Sequence, residues 1–287
     1  MWLIMWRKKI NMTIKKIFNA DDFGISKGVN AAIVKAHREG ILNSASLMIN
    51  QKYAAEAVKS AKEMPDLEIG LHVNLTNEYP AAPVQQIPLL VDGQGKLKNG
   101  FVNLLLLSFL KPRQLRQQAE IEMRAQIVKY LATGLSLQHI DSHRHVHLIP
   151  QIFKAMRELQ KEFAVPRIRV MNENIFNTLK YNKNKSWLFD GALIKYVLLR
   201  FLCWWNGYKN DVYFYTLMYT CKIAKEQFNN VKIPSGYKAV EIMIHPGMPE
   251  IDRQYPEDVW DENILSPYRT VELETLLDKN VAEGIND

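Results

Sequence analysis

Cysteine is scarce in this sequence. Cys203 and Cys221 are the two cysteines among 287 residues, so a disulfide framework is excluded, and their spacing matches no zinc finger. Glycine and proline, with 13 and 12 residues, are too few for a collagen-like or low-complexity chain. Scarce cysteine is typical of proteins in reducing compartments, and we therefore expect a cytoplasmic protein.

Long uninterrupted apolar runs are missing as well. Residues 1–11 carry a short apolar run whose basic cluster follows it instead of preceding it, unlike a signal peptide. We expect them to be an extension or a mis-assigned start. The stretch 187–205 is long enough to span a bilayer, but Asp190, Lys195 and Arg200 interrupt it. We therefore predict a buried or interfacial helix there and no integral membrane span.

The charge is basic but dispersed. Lysine and arginine number 37 against 30 acidic residues, which gives a formal net charge of +7. Such a balance is compatible with nucleic acid, an anionic membrane or an anionic substrate. No nucleic-acid motif accompanies the scattered basic residues, so we expect a soluble protein with no nucleic-acid partner. Hydrophobic residues at 47% and charged residues at 23% indicate an ordinary globular chain.

Strand-like and helix-like patterns alternate along the chain. The predicted strands are 13–20, 44–49, 67–73, 138–141, 167–170 and 239–245. The predicted helices are 26–39, 51–63, 101–132 (broken near Pro112), 150–163 and 271–283. Alternation of this kind predicts an α/β fold with largely parallel strands.

One segment interrupts this alternation. Residues 172–186 are rich in Asn and Lys and predict a surface loop, and the aromatic-rich segment 187–220 follows. The aromatic residues fit either sugar stacking or a core and oligomer surface. We expect residues 12–287 to form a single domain, with 172–235 an insertion over one end of it.

Four polar clusters stand at the carboxyl ends of predicted strands. They are Asn19–Gly24, Gly70–Asn74, Asp141–His147 and His245–Gly247. The carboxyl ends of parallel strands meet at one edge, where active sites are built. We therefore expect the functional site to lie there.

Asp21 and Asp22 are adjacent carboxylates at one such strand end. Neighbouring strand residues point to opposite faces, so the two side chains diverge unless the backbone turns, which Gly24 permits. One carboxylate could then bind a metal while the other holds a proton or a water. Alternatively, both cap the helix that begins near Ser26.

The alternating run His143, His145 and His147 predicts a metal site more specifically. Neutral imidazole is a common ligand of divalent metals, although a histidine-rich surface loop is the alternative. Asp22, His72 and one of the three would form a hydrolytic metal centre with open positions for water.

Further candidates surround this centre. His245 offers a fourth strand-end group or belongs to a structural turn. Arg144 and Arg169 fit either binding of an anionic substrate or pairing with carboxylates.

The four motifs together resemble the YdjC-like carbohydrate deacetylases, which include the chitooligosaccharide deacetylases. They are NADDFGISKGVN at 19–30, GLHVNLT at 70–76, HIDSHRHVHLIPQIF at 139–153 and IHPG at 244–247. The resemblance covers roughly residues 13–170 and 236–283. It implies a deformed (β/α) barrel, a divalent metal at the carboxyl strand ends, and hydrolysis of an N-acetyl group on an amino sugar.

The resemblance also implies a role for individual residues. The family's metal ligands fall on Asp22, His72 and His143. Asp21 matches the general base that takes a proton from the attacking water, and His245 matches an acid or oxyanion stabiliser. The residues expected to contact the substrate are Asn74, Arg144, His145 and His147.

Several alternatives stay open. The leading hypothesis is a metal-dependent N-deacetylase with one divalent ion, magnesium or zinc, and a small-molecule carbohydrate substrate. A metal-dependent phosphoesterase or a non-catalytic sugar-binding protein would use the same residues differently. A homodimer is open as an alternative to a monomer.

Overall fold

The computed structural model describes residues 14–181 and 191–286. The predicted extension at 1–11 lies outside them. The strands are β1 Lys15–Phe23, β2 Ser44–Leu47, β3 Glu68–Val73, β4 Ile140–Ser142, β5 Val212–Tyr215, β6 Val231–Lys232, β7 Ala239–Ile244 and β8 Ile285–Asn286. The helices are α1 Lys27–Glu39, α2 Ala54–Lys62, α3 Phe101–Leu110, α4 Pro112–Leu131, α5 Pro150–Glu162, α6 Ile175–Tyr181, α7 Ala192–Asn206, α8 Pro249–Asp252, α9 Tyr268–Leu277 and α10 Asn280–Glu283.

Six strands form one parallel sheet in the order β4-β3-β2-β1-β7-β5. The strands are almost wholly buried, as expected for parallel strands covered on both faces. The sheet curls into a half-barrel, which confirms the predicted deformed (β/α) barrel. β6 and β8 pair separately as a two-stranded parallel sheet.

The two edges of the half-barrel, β4 and β5, are linked by one short segment of chain. The predicted strand at 167–170 is reduced to a single parallel bridge between Ile168 and Ile140. A little further along, the side-chain amide of Asn172 donates to a backbone carbonyl of β5 at 2.8 Å and accepts a β5 N–H at 2.7 Å. The chain leaves the sheet before it can form a strand. The side chain of Asn172 therefore makes the hydrogen bonds to β5 that a neighbouring strand would otherwise make.

α1 shows how the local sequence fixes an element. The side chain of Ser26 accepts the N–H of Val29 at 3.2 Å, so the predicted cap is confirmed. Such a cap stabilises a helix by about 1 kcal/mol. The buried face includes Val29, Ile33 and Ala36, as the periodicity predicts. The helix ends at Gly40, whose N–H donates to the carbonyl of Ala36.

The segment after residue 172 differs most from its predictions. β5 is an edge strand of the central sheet that the sequence did not predict. The predicted loop at 172–186 contains α6, although residues 182–186 lie outside the described part. The predicted helix at 187–205 corresponds to α7, with residues 187–190 also outside it. The single predicted helix at 271–283 is divided into α9 and α10.

No helix within 14–181 or 191–286 has both the length and the apolar character that crossing a membrane requires. α7 has 15 residues and is capped at both ends by glycines with positive φ.

Candidate metal centre and active site

A cavity of about 600 Å³ opens at the carboxyl ends of the sheet strands. Its polar floor is formed by Asp21, Asp22, His72, His143 and His245. These are the five residues to which the family resemblance assigned metal binding or catalysis. Topology explains the convergence, since β1, β3, β4 and β7 are parallel and end at the same edge.

A bulge in β1 turns both adjacent carboxylates toward this cavity. The pairing register with β2 shifts between Ala20 and Phe23, and Asp22 takes a left-handed φ of 68°. This conformation is uncommon for a residue with a side chain and is typically found at functional sites. The predicted turn therefore occurs at Asp22 itself, and Gly24, with a φ of 95°, continues it.

Asp22, His72 and His143 form a tight cluster. Their ligand atoms lie within 4.8 Å of one another. The Oδ1 atom of Asp22 is 3.0 Å from Nδ1 of His143 and 3.5 Å from Nε2 of His72. Its Oδ2 atom accepts a hydrogen bond from Arg269 at 2.8 Å. Burial alone would raise the pKa of Asp22, but His143 and Arg269 outweigh it and hold the pKa well below its usual value.

Asp141 orients His72. The two residues are register partners on β3 and β4, and Nδ1 of His72 lies 2.7 Å from Oδ1 of Asp141. Burial opposes the charged ring, but Asp141 outweighs it and raises the pKa of His72 above its usual value. A carboxylate behind a histidine fixes the ring and leaves the other nitrogen free for a metal. Asp141 was not among the predicted site residues.

The cluster fits a divalent ion. The ring of His143 has one hydrogen-bond partner within the described chain, Asp22, and its buried Nε2 atom has none. This ring nitrogen therefore has no protein partner in the described chain and could bind an ion. One carboxylate and two imidazoles, with room for water, are the donors of a catalytic divalent metal site.

A second group of potential ligands is less suitable. Asp21, His72 and Asp141 also place ligand atoms within 4.8 Å of one another. However, the guanidinium of Arg169 lies against both carboxylates, at 2.7 Å from each. A fixed cation already satisfies these acids, so the first cluster is the better metal site.

Arg169 holds the polar network together. It is fully buried and donates to both oxygens of Asp21, at 2.8 and 2.7 Å, and to Glu241 at 2.6 Å. It also pairs with Asp141 at 2.7 Å. Burial opposes its charge, but Asp141, Asp21 and Glu241 outweigh this and raise its pKa well above the usual value. Of the two sequence interpretations, pairing with carboxylates is the one observed.

His245 lies beside Asp21 in the cavity. Its Nε2 atom is 3.8 Å from Oδ2 of Asp21, and its Nδ1 atom is 3.7 Å from Glu272 and 4.0 Å from the sulfur of Cys221. Burial alone would lower the pKa of His245, but Cys221 and Glu272 raise it well above its usual value. The carboxylate of Asp21 and the imidazole of His245 therefore face the same part of the cavity.

Two of the four predicted substrate contacts line the cavity. Arg144 does so while pairing with Asp261 at 2.9 Å. His145 also lines it, and its buried Nδ1 atom has no partner in the described part of the chain. Both residues have left-handed φ angles, 55° and 56°.

The other two do not line the cavity. His147 has Ser142 at 2.7 Å on one ring nitrogen and the carbonyl of Arg169 at 3.1 Å on the other. Burial lowers its pKa to about 4. The side chain of Asn74 accepts the N–H groups of Thr76 and Asn77 and forms a turn.

Three site residues were missed by the sequence-based prediction. Arg269 and Glu272 belong to α9 and contact Asp22 and His245. No local motif marks them, because their partners lie far away in sequence. Asp141 did carry a signal, since it directly precedes the histidine-rich run.

Comparison with known proteins identifies a family whose members this chain resembles. The YdjC-like protein family model matches residues 15–287. The chain is similar to a carbohydrate deacetylase of Brevibacillus brevis, with 35% identity over 274 residues that cover 96% of this chain and 95% of that protein. A carbohydrate deacetylase of Clostridium beijerinckii is 29% identical over 281 residues, or 96% of each chain.

The fold also resembles a solved structure. It is a crystal structure of a protein from Enterococcus faecalis V583 that is named as a candidate for cellobiose-phosphate cleavage. The two chains superpose with a TM-score of 0.65 at 25% sequence identity, over 95% of this chain and 94% of the other.

Proposed function

The chain belongs to the YdjC-like protein family, and from this premise we propose that it is a metal-dependent hydrolase that removes the N-acetyl group from an amino sugar or N-acetylated oligosaccharide. Similarity to carbohydrate deacetylases along 96% of the chain supports the reaction class. The observation that carries the proposal is the cluster of Asp22, His72 and His143, with Asp21 and His245 beside it in one cavity.

The proposed cofactor is one divalent ion held by Asp22, His72 and His143. Two imidazoles in the donor set favour Zn²⁺ over Mg²⁺, which prefers oxygen ligands. When bound, such an ion would polarise the acetyl carbonyl and make a water more acidic.

In the proposed reaction, Asp21 accepts the proton of the attacking water. Its carboxylate is held on both oxygens by Arg169, so its position does not depend on substrate. A general base in a fixed position typically contributes about 10²–10⁴-fold in rate.

His245 is the proposed general acid. Cys221 and Glu272 outweigh burial and raise the pKa of His245, which favours a ring that can donate a proton to the amine that leaves. Its Nε2 atom lies 3.8 Å from Oδ2 of Asp21, so the proposed acid and the proposed base can reach the same substrate amide. The sparse cysteine supports a cytoplasmic setting for this reaction.

Product analysis tests the proposal against its alternatives. The metal-loaded protein is incubated with N-acetylglucosamine oligomers and, in parallel, with phosphorylated sugars. We expect free acetate from the oligomers, loss of this activity with chelator, and its recovery on adding Zn²⁺. Release of phosphate without acetate would indicate a phosphoesterase. Sugar binding with neither product would indicate a binding protein.

A further inference from the structure

Two helices beside the cavity expose most of the large apolar side chains on the described surface. Fifteen such side chains are exposed in the described chain, and ten of them belong to α3 and α7. We call these ten the α3–α7 face. They are Val102, Leu106, Phe109 and Leu110 of α3, and Leu193, Ile194, Val197, Phe201, Trp204 and Trp205 of α7.

α7 is apolar on two sides. Tyr196, Leu199 and Leu202 are buried against the domain. On the other side, Ile194 is 76% exposed and Trp204 75% exposed. A helix that is hydrophobic all round normally has neighbours on every side. Concentrated apolar surface of this kind marks a site of interaction with a protein or a membrane.

Both helices of this face border the cavity. Phe101, the first residue of α3, and Ile194, Leu198 and Leu199 of α7 line the cavity wall. Ile194 is also one of the exposed side chains of α7, so the apolar wall of the cavity continues onto the surface of that helix. A cavity built in this way suits an amphipathic substrate, whose sugar lies on the floor and whose hydrocarbon chain leaves along the wall.

The charge near the face favours an anionic lipid surface over a second copy of the chain. Neither helix contains an acidic residue. Exposed Lys98, Lys111 and Arg113 flank α3, and exposed Lys209 follows α7. In a symmetric dimer these basic residues would face one another and repel, whereas an anionic bilayer attracts them.

The aromatic residues at the end of α7 suit a membrane interface. The ring of Phe201 lies 5.7 Å from each of the rings of Trp204 and Trp205. Tryptophan is enriched where one end of a side chain meets lipid and the other meets water. An apolar face combined with basic neighbours supplies the two signals that stable peripheral binding requires.

We propose that the α3–α7 face docks on an anionic bilayer surface and that the substrate is an N-acetylated amino sugar carried on a lipid. The substrate half of this inference rests on the proposed deacetylase function, and the docking half does not. The cavity mouth then meets the bilayer. The sugar head reaches the polar floor while the lipid chain stays in the bilayer.

Vesicle sedimentation tests docking without reference to activity. The native protein is mixed with phosphatidylcholine vesicles, with or without phosphatidylglycerol. The test variant Phe109→Gln/Trp204→Gln changes two exposed residues that do not line the cavity, and Phe176→Gln is a control at a residue 81% exposed on α6. We expect binding only with phosphatidylglycerol, a loss of about tenfold or more for each residue of the double variant, and no loss for the control. Far-ultraviolet circular dichroism verifies that each variant is folded.

Acetate release tests the substrate. The substrates are N-acetylglucosamine joined to a dialkylglycerol in these vesicles, and a soluble N-acetylglucosamine oligomer. We expect the double variant to lose activity on the glycolipid and to keep its activity on the oligomer. Equal loss on both substrates would overturn the proposed substrate. Vesicle binding with no acetate from either would uphold docking and refute the deacetylase.

The native protein provides the decisive test of docking. If it fails to sediment with anionic vesicles, the proposed docking surface is wrong. A native dimer that the double variant dissociates, again without vesicle binding, would assign the face to a second copy of the chain.

Discussion

Replacing Arg169 by methionine should reveal what this buried cation contributes. Methionine is long enough to fill the same slot but donates no hydrogen bond. The change removes contacts of 2.6–2.8 Å to Asp21, Asp141 and Glu241, three buried carboxylates. Breaking a buried ion pair by removing one partner costs about 3–5 kcal/mol, because it leaves an uncompensated charge. We expect a loss of about that size in the free energy of unfolding at pH 7.

The loss in free energy of unfolding caused by Arg169→Met should shrink as the pH falls. In the native protein the pKa of Glu241 is about 2, below its ordinary 4.5, because Arg167 and Arg169 outweigh its burial. The pKa of Asp141 is also lowered, with Arg169 outweighing burial. These folded values lie below the unfolded ones, so their stabilisation is complete above about pH 4.5 and is lost only as the pH falls below it.

The stability of Arg169→Met should depend on pH in the opposite direction. Without Arg169, burial raises the pKa of Asp141 above its unfolded value, so this group destabilises the fold at neutral pH. It takes up a proton in the folded state as the pH falls from 7 toward 5, and stability is regained. The gap between native and variant proteins should therefore narrow over that range.

Urea unfolding in the presence of chelator, followed by circular dichroism from pH 5 to pH 8, measures this gap. Arg167→Met is the matched control, since Arg167 pairs with Glu241 and its side chain is 14% exposed. Its loss should be smaller and nearly independent of pH. A constant gap for Arg169→Met across the range would refute the electrostatic account and leave only a packing effect.

Further predictions concern the chemistry of the site. Asp141→Asn should weaken divalent-metal binding about 10–100-fold in calorimetric titration, since the carboxylate orients His72, and an unchanged affinity would contradict this. Asp21→Asn should lower kcat for acetate release about 10²–10⁴-fold with near-native metal content, and Asp66→Asn, which removes an exposed carboxylate, should not. His245→Gln should abolish the alkaline limb of the pH profile, because a general acid with a raised pKa loses its proton only as the pH rises; a profile that keeps this limb would exclude the role.

Much of the sheet and the site floor could be predicted from local sequence. β1, β3 and β7 carry polar residues at or just after their carboxyl ends, and their parallel arrangement brings Asp22, His72 and His245 to one edge. Nothing beyond the pattern of each segment and the rule for parallel strands is needed for that inference.

The rest depends on contacts that local patterns do not encode. β5 is a four-residue strand, and it lies among aromatic residues that also fit a surface or an insertion. The predicted strand at 167–170 forms a single bridge, between Ile168 and Ile140, because the chain then leaves the edge of the sheet and Asn172 contacts β5 through its side chain. The roles of Arg269 and Glu272 arise from the docking of α9 against the site.

The divalent site formed by Asp22, His72 and His143 is the central claim, and elemental analysis of the purified protein tests it most directly. The native protein, loaded with Zn²⁺ and desalted, should hold one ion per chain. His72→Ala should lose most of it, whereas His145→Asn should retain it, because His145 lines the same cavity but lies outside the ligand cluster and asparagine tolerates its left-handed backbone. Full metal occupancy in a folded His72→Ala protein would contradict the assignment.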